Sequence, residues 1–220
     1  MARKNKHVDR AKLSQREFIR LVRFFAAGME ASRIAEELGV SRNTVNAYMR
    51  RIRERIAVEA ARKVQARDAE SAGAFIVIRT AANGARTRKT GRAFLHGRIF
   101  GDRRISIEVQ NGREGEVLHT LLGGYLQIEG QVYTESRSVF TDFLDGELPP
   151  KHIRCDTDGA RQAVAMLESS LETTRTRLEQ FRGVKRGLVR LHIKESEFRF
   201  NSGQNVEKAL LKMLRERPLL

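Results

Sequence analysis

The chain has 220 residues, 40% of them hydrophobic, which is enough for one medium domain and a small one. Its 42 Lys and Arg outnumber 27 Asp and Glu, and the net charge of +15 favours a polyanionic partner, nucleic acid before membrane. A single cysteine excludes a disulfide framework and a cysteine-rich zinc site. The sequence contains no long apolar run and no signal-peptide pattern, so we expect no membrane partner and a cytoplasmic, nucleoid-associated protein.

The positive charge is concentrated at the N-terminal end. Residues 1–67 hold 17 Lys and Arg against 7 Asp and Glu, so this third of the chain carries +10 of the total. Residues 1–12 form a basic arm, which could lack fixed structure or could enter the minor groove of DNA. Its candidate DNA contacts are Arg3, Lys4 and Lys6.

Residues 13–56 are predicted to form a three-helix domain. Ser14 and Glu17 have the spacing of a capping box at the start of the first helix. Apolar residues then recur at helical spacing, as a helix with one buried face requires. The predicted core positions are Phe18, Leu21, Val22, Phe25, Ile34, Ala35, Leu38, Val45 and either Tyr48 or Met49.

Residues 31–50 have the pattern of a helix-turn-helix, in which the second helix enters the major groove of DNA. Gly39 suits the left-handed end of the first helix, and Ser41 suits the N-cap of the second. The polar residues left outward can reach base edges and phosphates. The candidate base contacts are Arg42, Asn43, Thr44 and Asn46, and the candidate phosphate contacts are Arg50, Arg51 and Arg53. The alternative is an ordinary helical hairpin with a glycine turn.

A helical linker is predicted over 57–72, and the pattern then changes to that of an α/β domain over 73–220. The predicted strands are 74–80, 92–100, 103–110, 131–135 and 151–157. The predicted helices are 115–126, 138–145, 160–181, 185–201 and 204–216. We expect a mixed five-stranded sheet whose first three strands form a meander. The basic loop 82–91 offers secondary DNA contacts at Arg86, Arg88 and Lys89.

Three segments carry a resemblance to a known family. FRGV (181–184), LVRLHIKESEFRFN (188–201) and QVYTE (131–135) resemble one group of bacterial insertion-sequence transposases. Members of that group have an N-terminal helix-turn-helix and an RNase H-like, DDE-type catalytic domain. The resemblance implies a degenerate RNase H-like domain over 73–220. It also implies chemistry in which carboxylates hold two magnesium ions for strand cleavage.

The resemblance places the first of three metal-binding positions at Ile78, or at Arg79 with a shift of one residue, and the other two at Glu135 and Arg161. Isoleucine cannot bind magnesium, and arginine repels it. We therefore expect a catalytically inactivated transposase with no catalytic residues, no metal and no cofactor. The alternative is an active transposase that uses a rearranged metal site.

The expected function is sequence-specific binding of double-stranded DNA by a homodimeric transcriptional regulator, with no small-molecule substrate. The second alternative is a non-specific nucleoid or RNA-binding protein that depends on charge alone. A stripe of small and apolar residues on helix 160–181 is read either as core packing or as a dimer face. The stripe consists of Ala163, Met166, Leu167, Ser170, Leu171, Thr174 and Leu178.

Overall fold

The chain forms two compact units in a computed structural model. The structure describes residues 12–67, 71–81, 92–100, 103–109, 125–134, 158–180 and 185–219, with three helical positions at Gly115, Val117 and Leu121. The first unit takes its residues from 1–59 and 198–220, and the second from 60–197. Two distant stretches of the sequence therefore build the first unit.

The first unit is helical. Its elements from the N-terminal stretch are α1 (Gln15–Ala26), α2 (Ala31–Leu38) and the first part of α3 (Arg42–Arg67). Its C-terminal stretch begins within α5 (Val189–Ser202) and continues through a 3-10 turn (Gly203–Asn205) into α6 (Val206–Glu216). The helix α3 continues to Arg67, so residues 57–67 of the segment predicted as a helical linker are helical, whereas Ser71 and Ala72 at its end belong to a strand.

The predicted helix ends of the first unit are confirmed. Ser14 Oγ accepts the Glu17 amide, and the Glu17 carboxylate accepts the Ser14 amide at 2.8 Å, which completes the capping box. Gly39 has a φ of 66°, a left-handed conformation that glycine adopts without strain. Ser41 Oγ accepts the Thr44 amide at 3.1 Å at the start of α3.

The apolar core of the first unit contains every position predicted for it. Both Tyr48 and Met49 are buried, at 4% and 3% exposure. The core also contains Leu210, Met213, Leu214 and Leu219, which α6 and the residues after it supply. The predicted second domain includes 204–216, but the structure places these residues in the first unit. Hydrophobic periodicity shows which face of a helix is buried but not which partner buries it.

The second unit contains a four-stranded sheet of order β3-β2-β1-β4. Its strands are β1 (Ser71–Ala81), β2 (Arg92–Phe100), β3 (Ile105–Val109) and β4 (Tyr125–Thr134). The meander of the first three strands is confirmed, but β1 also pairs antiparallel with β4. The expected mixed sheet is therefore wrong for the described strands, since a mixed sheet needs a parallel pair.

The sequence pattern does not predict the direction of β4. The connection after β3 is long enough for β4 to pair either parallel or antiparallel. β4 also starts earlier than predicted, so Tyr125 and Leu126 are strand residues instead of the end of a helix. The predicted fifth strand, 151–157, and the predicted helix 138–145 lie outside the described residues.

The helix α4 (Asp158–Gln180) supplies part of the described core of the second unit, together with residues of β3 and other elements. In α4, Leu167, Leu171 and Leu178 are at most 1% exposed. Ser170 and Thr174 are buried beside them, so this part of the stripe, from Leu167 to Leu178, packs in the core, as the core alternative predicted. Within the described residues, no helix is both long and apolar enough to cross a membrane.

Candidate nucleic-acid interface

The turn between α2 and α3 determines how α3 begins within the first unit. The Val40 amide donates to the Ala35 carbonyl at 3.0 Å, a bond that closes the end of α2 around Gly39. On α3, Val45 is fully buried, and Tyr48 and Met49 pack into the same core. This inward face holds the helix by its apolar side and leaves the opposite side of its first turns in solvent.

The exposed side of α3 carries most of the residues predicted to contact bases. Arg42, Asn43, Asn46 and Arg50 are exposed, and Thr44 is half-buried. The Thr44 hydroxyl lies 2.8 Å from Ser41 Oγ, so it takes part in the helix cap. The structure thus brings together three of the four predicted base-reading residues, Arg42, Asn43 and Asn46, with Arg50 further along the same side.

The predicted phosphate contacts on α3 have three different environments. Arg50 Nε lies 2.8 Å from Glu54 Oε1 in an exposed ion pair. Arg51 is half-buried. Arg53 is only 9% exposed, and its guanidinium carbon lies 5.5 Å from the centroid of the Phe25 ring.

The assignment of Arg53 to phosphate binding is therefore corrected. Its guanidinium packs on Phe25 inside the first unit, a cation–π contact that contributes to the fold. Arg199 lies 5.2 Å from the centroid of the same ring and donates to the carbonyls of Phe25 and Ala26, at the end of α1. Sequence alone did not show that Arg53 is buried and Arg51 is not, because both are arginines that follow the helix-turn-helix segment 31–50.

Tyr48 has a role that sequence analysis missed. Its hydroxyl accepts the backbone amides of Lys12 and Leu13, at 2.9 and 3.3 Å, while its ring lies 5.8 Å from that of Phe18. A buried tyrosine usually places its hydroxyl against a polar partner. The recognition helix thereby holds the chain at the point where the basic arm ends.

The C-terminal stretch braces the first unit through polar contacts away from the exposed side of α3. Glu207 on α6 pairs with Arg23 on α1, at 3.0 Å. Arg217 pairs with Glu59 on α3 at 2.9 Å, and the Pro218 carbonyl accepts from Arg55. The core residues and these contacts make α6 a fourth helix of the unit that contains the helix-turn-helix.

Two of the remaining predicted site residues, Ile78 and Arg161, lie on described elements of the second unit. Ile78 is on β1, opposite Ala93 of β2 and Ile128 of β4, and Arg161 is in the first turn of α4. Among the residues that the structure describes, no cluster of three or more His, Cys, Asp or Glu side chains could hold a metal ion. The metal-binding position Glu135 lies outside the described residues. So do the other predicted DNA contacts, namely Arg3, Lys4, Lys6, Arg86, Arg88 and Lys89.

The geometry of α2, the turn and α3 defines a helix-turn-helix DNA-binding domain. Residues 11–66 match the GerE family model, described as bacterial regulatory proteins of the luxR family. The chain is thus similar to that family over its N-terminal quarter, and a luxR-type helix-turn-helix domain is present there. Comparisons with curated proteins and with solved structures give no match.

Proposed function

We propose that this protein is a sequence-specific DNA-binding regulator in which α3 reads bases in the major groove. The observation that carries the proposal is the exposed side of α3, which presents Asn43 and Asn46 from a helix anchored by its opposite side. The match of residues 11–66 to a family of bacterial regulatory proteins supports it. Helix-turn-helix domains place the first residues of this helix against base edges.

The proposed interface divides affinity and selectivity between different residues. Arg50 and Arg51 supply positive charge beside the reading side chains and would bind phosphates, which position a protein on the duplex without reading sequence. Asn43 and Asn46 would read bases, because the asparagine amide matches the N6 and N7 edge of adenine. The basic arm and the loop 82–91 would add phosphate contacts.

A homodimer is part of the proposal, because one helix-turn-helix reads few base pairs. Two copies on a palindromic site would place two recognition helices about one helical turn of DNA apart. Mixing full and half sites with the protein at one concentration tests this directly. The proposal expects two protein chains per full site and much weaker binding to a half site, whereas one chain per full site would overturn dimeric binding.

Descent from an inactivated insertion-sequence transposase is also proposed, on the strength of the motifs at 131–135 and 181–201. Ile78 and Arg161 stand at two positions where a magnesium-dependent enzyme of that group needs carboxylates. The protein would then bind DNA without cleaving it. Magnesium-dependent nicking of a bound site, abolished by Glu135→Ala, would support the enzyme instead.

In vitro site selection with the purified full chain tests the main proposal. A regulator of this kind should enrich one short motif from a random pool, and its binding to that motif should persist in excess competitor DNA. A non-specific nucleoid or RNA-binding protein would enrich no motif, and its affinity for every sequence would fall in parallel as salt rises.

A further inference from the structure

We infer that α3 reads a short A·T-rich element, in which Ala47 contacts the 5-methyl group of a thymine beside the adenines read by Asn43 and Asn46. The inference rests on the proposed function and names the kind of base sequence recognised. It also assigns a specificity role to Ala47, which the sequence analysis did not consider.

Asn43, Asn46, Ala47 and Arg50 are all exposed and lie along one strip of α3. At about 100° per residue, these four positions fall within an arc of roughly 100°. The buried residues Val45, Tyr48 and Met49 lie outside that arc. Any duplex that meets the exposed strip must therefore meet Ala47 together with both asparagines.

The strip has a length that suits a few neighbouring base pairs. Asn43 and Ala47 are four residues apart, which is about 6 Å along the axis of an α-helix. Successive base pairs are about 3.4 Å apart, so this distance spans roughly two base-pair steps. The two asparagines and the alanine methyl group can thus address adjacent base pairs.

The chemistry of these three side chains favours A·T pairs. Asparagine pairs bidentately with adenine, and an alanine methyl group makes apolar contact with the thymine methyl group. Guanine is read most often by Arg or Lys, and Asn43, Asn46 and Ala47 include neither. The exposed Arg42 precedes Asn43 but lies outside the arc of the strip. The first cation further along the strip is Arg50, whose guanidinium is 2.8 Å from the Glu54 carboxylate.

Glu54 sets the C-terminal limit of the strip. Its position falls within the same arc, about 16 Å along the helix from Asn43. That carboxylate accepts a hydrogen bond from Arg50, which holds the guanidinium away from base edges but leaves it exposed to phosphates. Base reading is therefore confined to the first turns of α3, where the neutral residues lie.

The test begins with the motif from site selection and modifies it one base at a time. Uracil in place of thymine removes only the 5-methyl group, and 7-deazaadenine in place of adenine removes only the N7 acceptor. For the wild-type chain, uracil at one position should weaken binding about fourfold, the effect of removing roughly one methyl group from apolar contact. At the neighbouring adenines, 7-deazaadenine should weaken binding about fivefold or more.

Variants assign each effect to its side chain. Ala47→Gly should lose the uracil penalty, because the methyl partner is gone. Ala57→Gly carries a similar helix-propensity cost at another α3 position and should keep the penalty. Asn43→Ala and Asn46→Ala should each lose the 7-deazaadenine penalty at one adenine, which keeps the test decisive if Ala47→Gly fails to fold.

The outcomes separate this inference from the proposed function. A clear motif with A·T pairs at its centre and the penalties described above supports the inference. A clear motif centred on G·C pairs, or a uracil penalty that survives in Ala47→Gly, overturns it while sequence-specific binding stands. Failure to enrich any motif overturns the proposed function itself.

Discussion

The two units of this protein bury different kinds of side chain. The described core of the first unit is apolar, and Arg53 is its one buried charged residue. The described part of the second unit buries three charged residues close together in sequence on α5, namely Lys194, Glu195 and Glu197. The unit that contains the recognition helix thus depends on apolar packing, whereas the other also depends on paired charges.

The buried charges of the second unit form a connected network. Lys194 Nζ lies 2.6 Å from Glu108 and 2.8 Å from Glu197, and a Glu197 oxygen accepts the Ile107 amide of β3 at 3.0 Å. Burial alone lowers the pKa of Lys194, but the two facing carboxylates outweigh it and raise the pKa above its ordinary value. Lys194 is therefore charged and joins α5 to β3.

Hydrophobic periodicity in the sequence predicts the apolar core of the first unit. The buried charges of the second unit are stabilised instead by their pairing with other charged side chains. An apolar core tolerates exchange of one apolar residue for another of similar size. When either partner of a buried ion pair is removed, the other charge is left buried and uncompensated, which destabilises the fold. Substitutions in the two units should therefore differ in how much stability they remove and in which second substitution restores it.

The largest loss of folding stability is expected for Lys194→Met. The change leaves Glu197 buried beside Glu108 without a cation between them, and breaking a buried pair in this way costs about 3–5 kcal/mol. Hydrogen exchange at the amides of β3 should accelerate accordingly, with little change at those of α2. Lys212→Met, at an exposed lysine of α6, is the matched control and should change neither.

A second substitution distinguishes the charge network from packing. Combining Lys194→Met with Glu197→Leu removes both members of the buried pair and should recover part of the lost stability, because no unpaired charge remains at Glu197. If the double variant is as unstable as the sum of the two single variants, the network is not coupled and the contrast between the units fails.

Leu210→Ala should have the next largest effect, and in the first unit. Leu210 is fully buried, and removing such a side chain costs about 2–5 kcal/mol. Faster exchange at the amides of α1 and α2 would show that α6 stabilises the helix-turn-helix, although the two are far apart in sequence. Lys208→Ala, at an exposed position of α6, should leave exchange unchanged. Unaltered exchange in α1 for Leu210→Ala would contradict a shared core.

Ser14→Ala should have the smallest effect, about 1 kcal/mol, through loss of the N-cap of α1. Hydrogen bonds from the Ser14 side chain and backbone hold the pKa of Glu17 below its usual value. The contribution of Glu17 is thus present above the ordinary glutamate pKa and is lost as pH falls through the lowered value. Urea unfolding of the first unit across this pH range should show the wild-type advantage over Ser14→Ala shrinking.

Ser41→Ala is the matched control for this pH dependence. Ser41 caps α3 in the same way, but its partner at the third helical position is Thr44, which does not titrate in this range. The cost of Ser41→Ala should be similar in size and independent of acidic pH. Equal pH dependence for the two caps would show that the Glu17 carboxylate is not the group responsible.

Much of the first unit could be predicted from sequence because its signals are local. Capping by Ser14, the left-handed Gly39 and the apolar face through Phe18 and Phe25 each depend on residues a few positions apart. The burial of Arg53 depends instead on Phe25, which lies on another helix. The partnership of α6 with α1 is longer in range still, so no local pattern could reveal it.

The second unit shows the limit of the same reasoning. The bounds of β2 were predicted correctly. The antiparallel pairing of β1 with β4 depends on the path of a long connection, and the Lys194 network depends on α5 meeting β3. The candidate DNA contacts divide in the same way, since exposure on α3 was predictable for Asn43 and Asn46 but not for Arg53.

The central claim is that Asn43 reads a base, and its most direct test is the ratio of affinities for the selected site and a scrambled site. Asn43→Ala should lower that ratio by about tenfold, within the range expected for one bidentate base contact, while affinity for the scrambled site stays the same. Asn205→Ala, at an exposed asparagine at the start of α6, should leave the ratio unchanged. An unchanged ratio for Asn43→Ala, or an equal fall for both variants, would contradict base reading by α3.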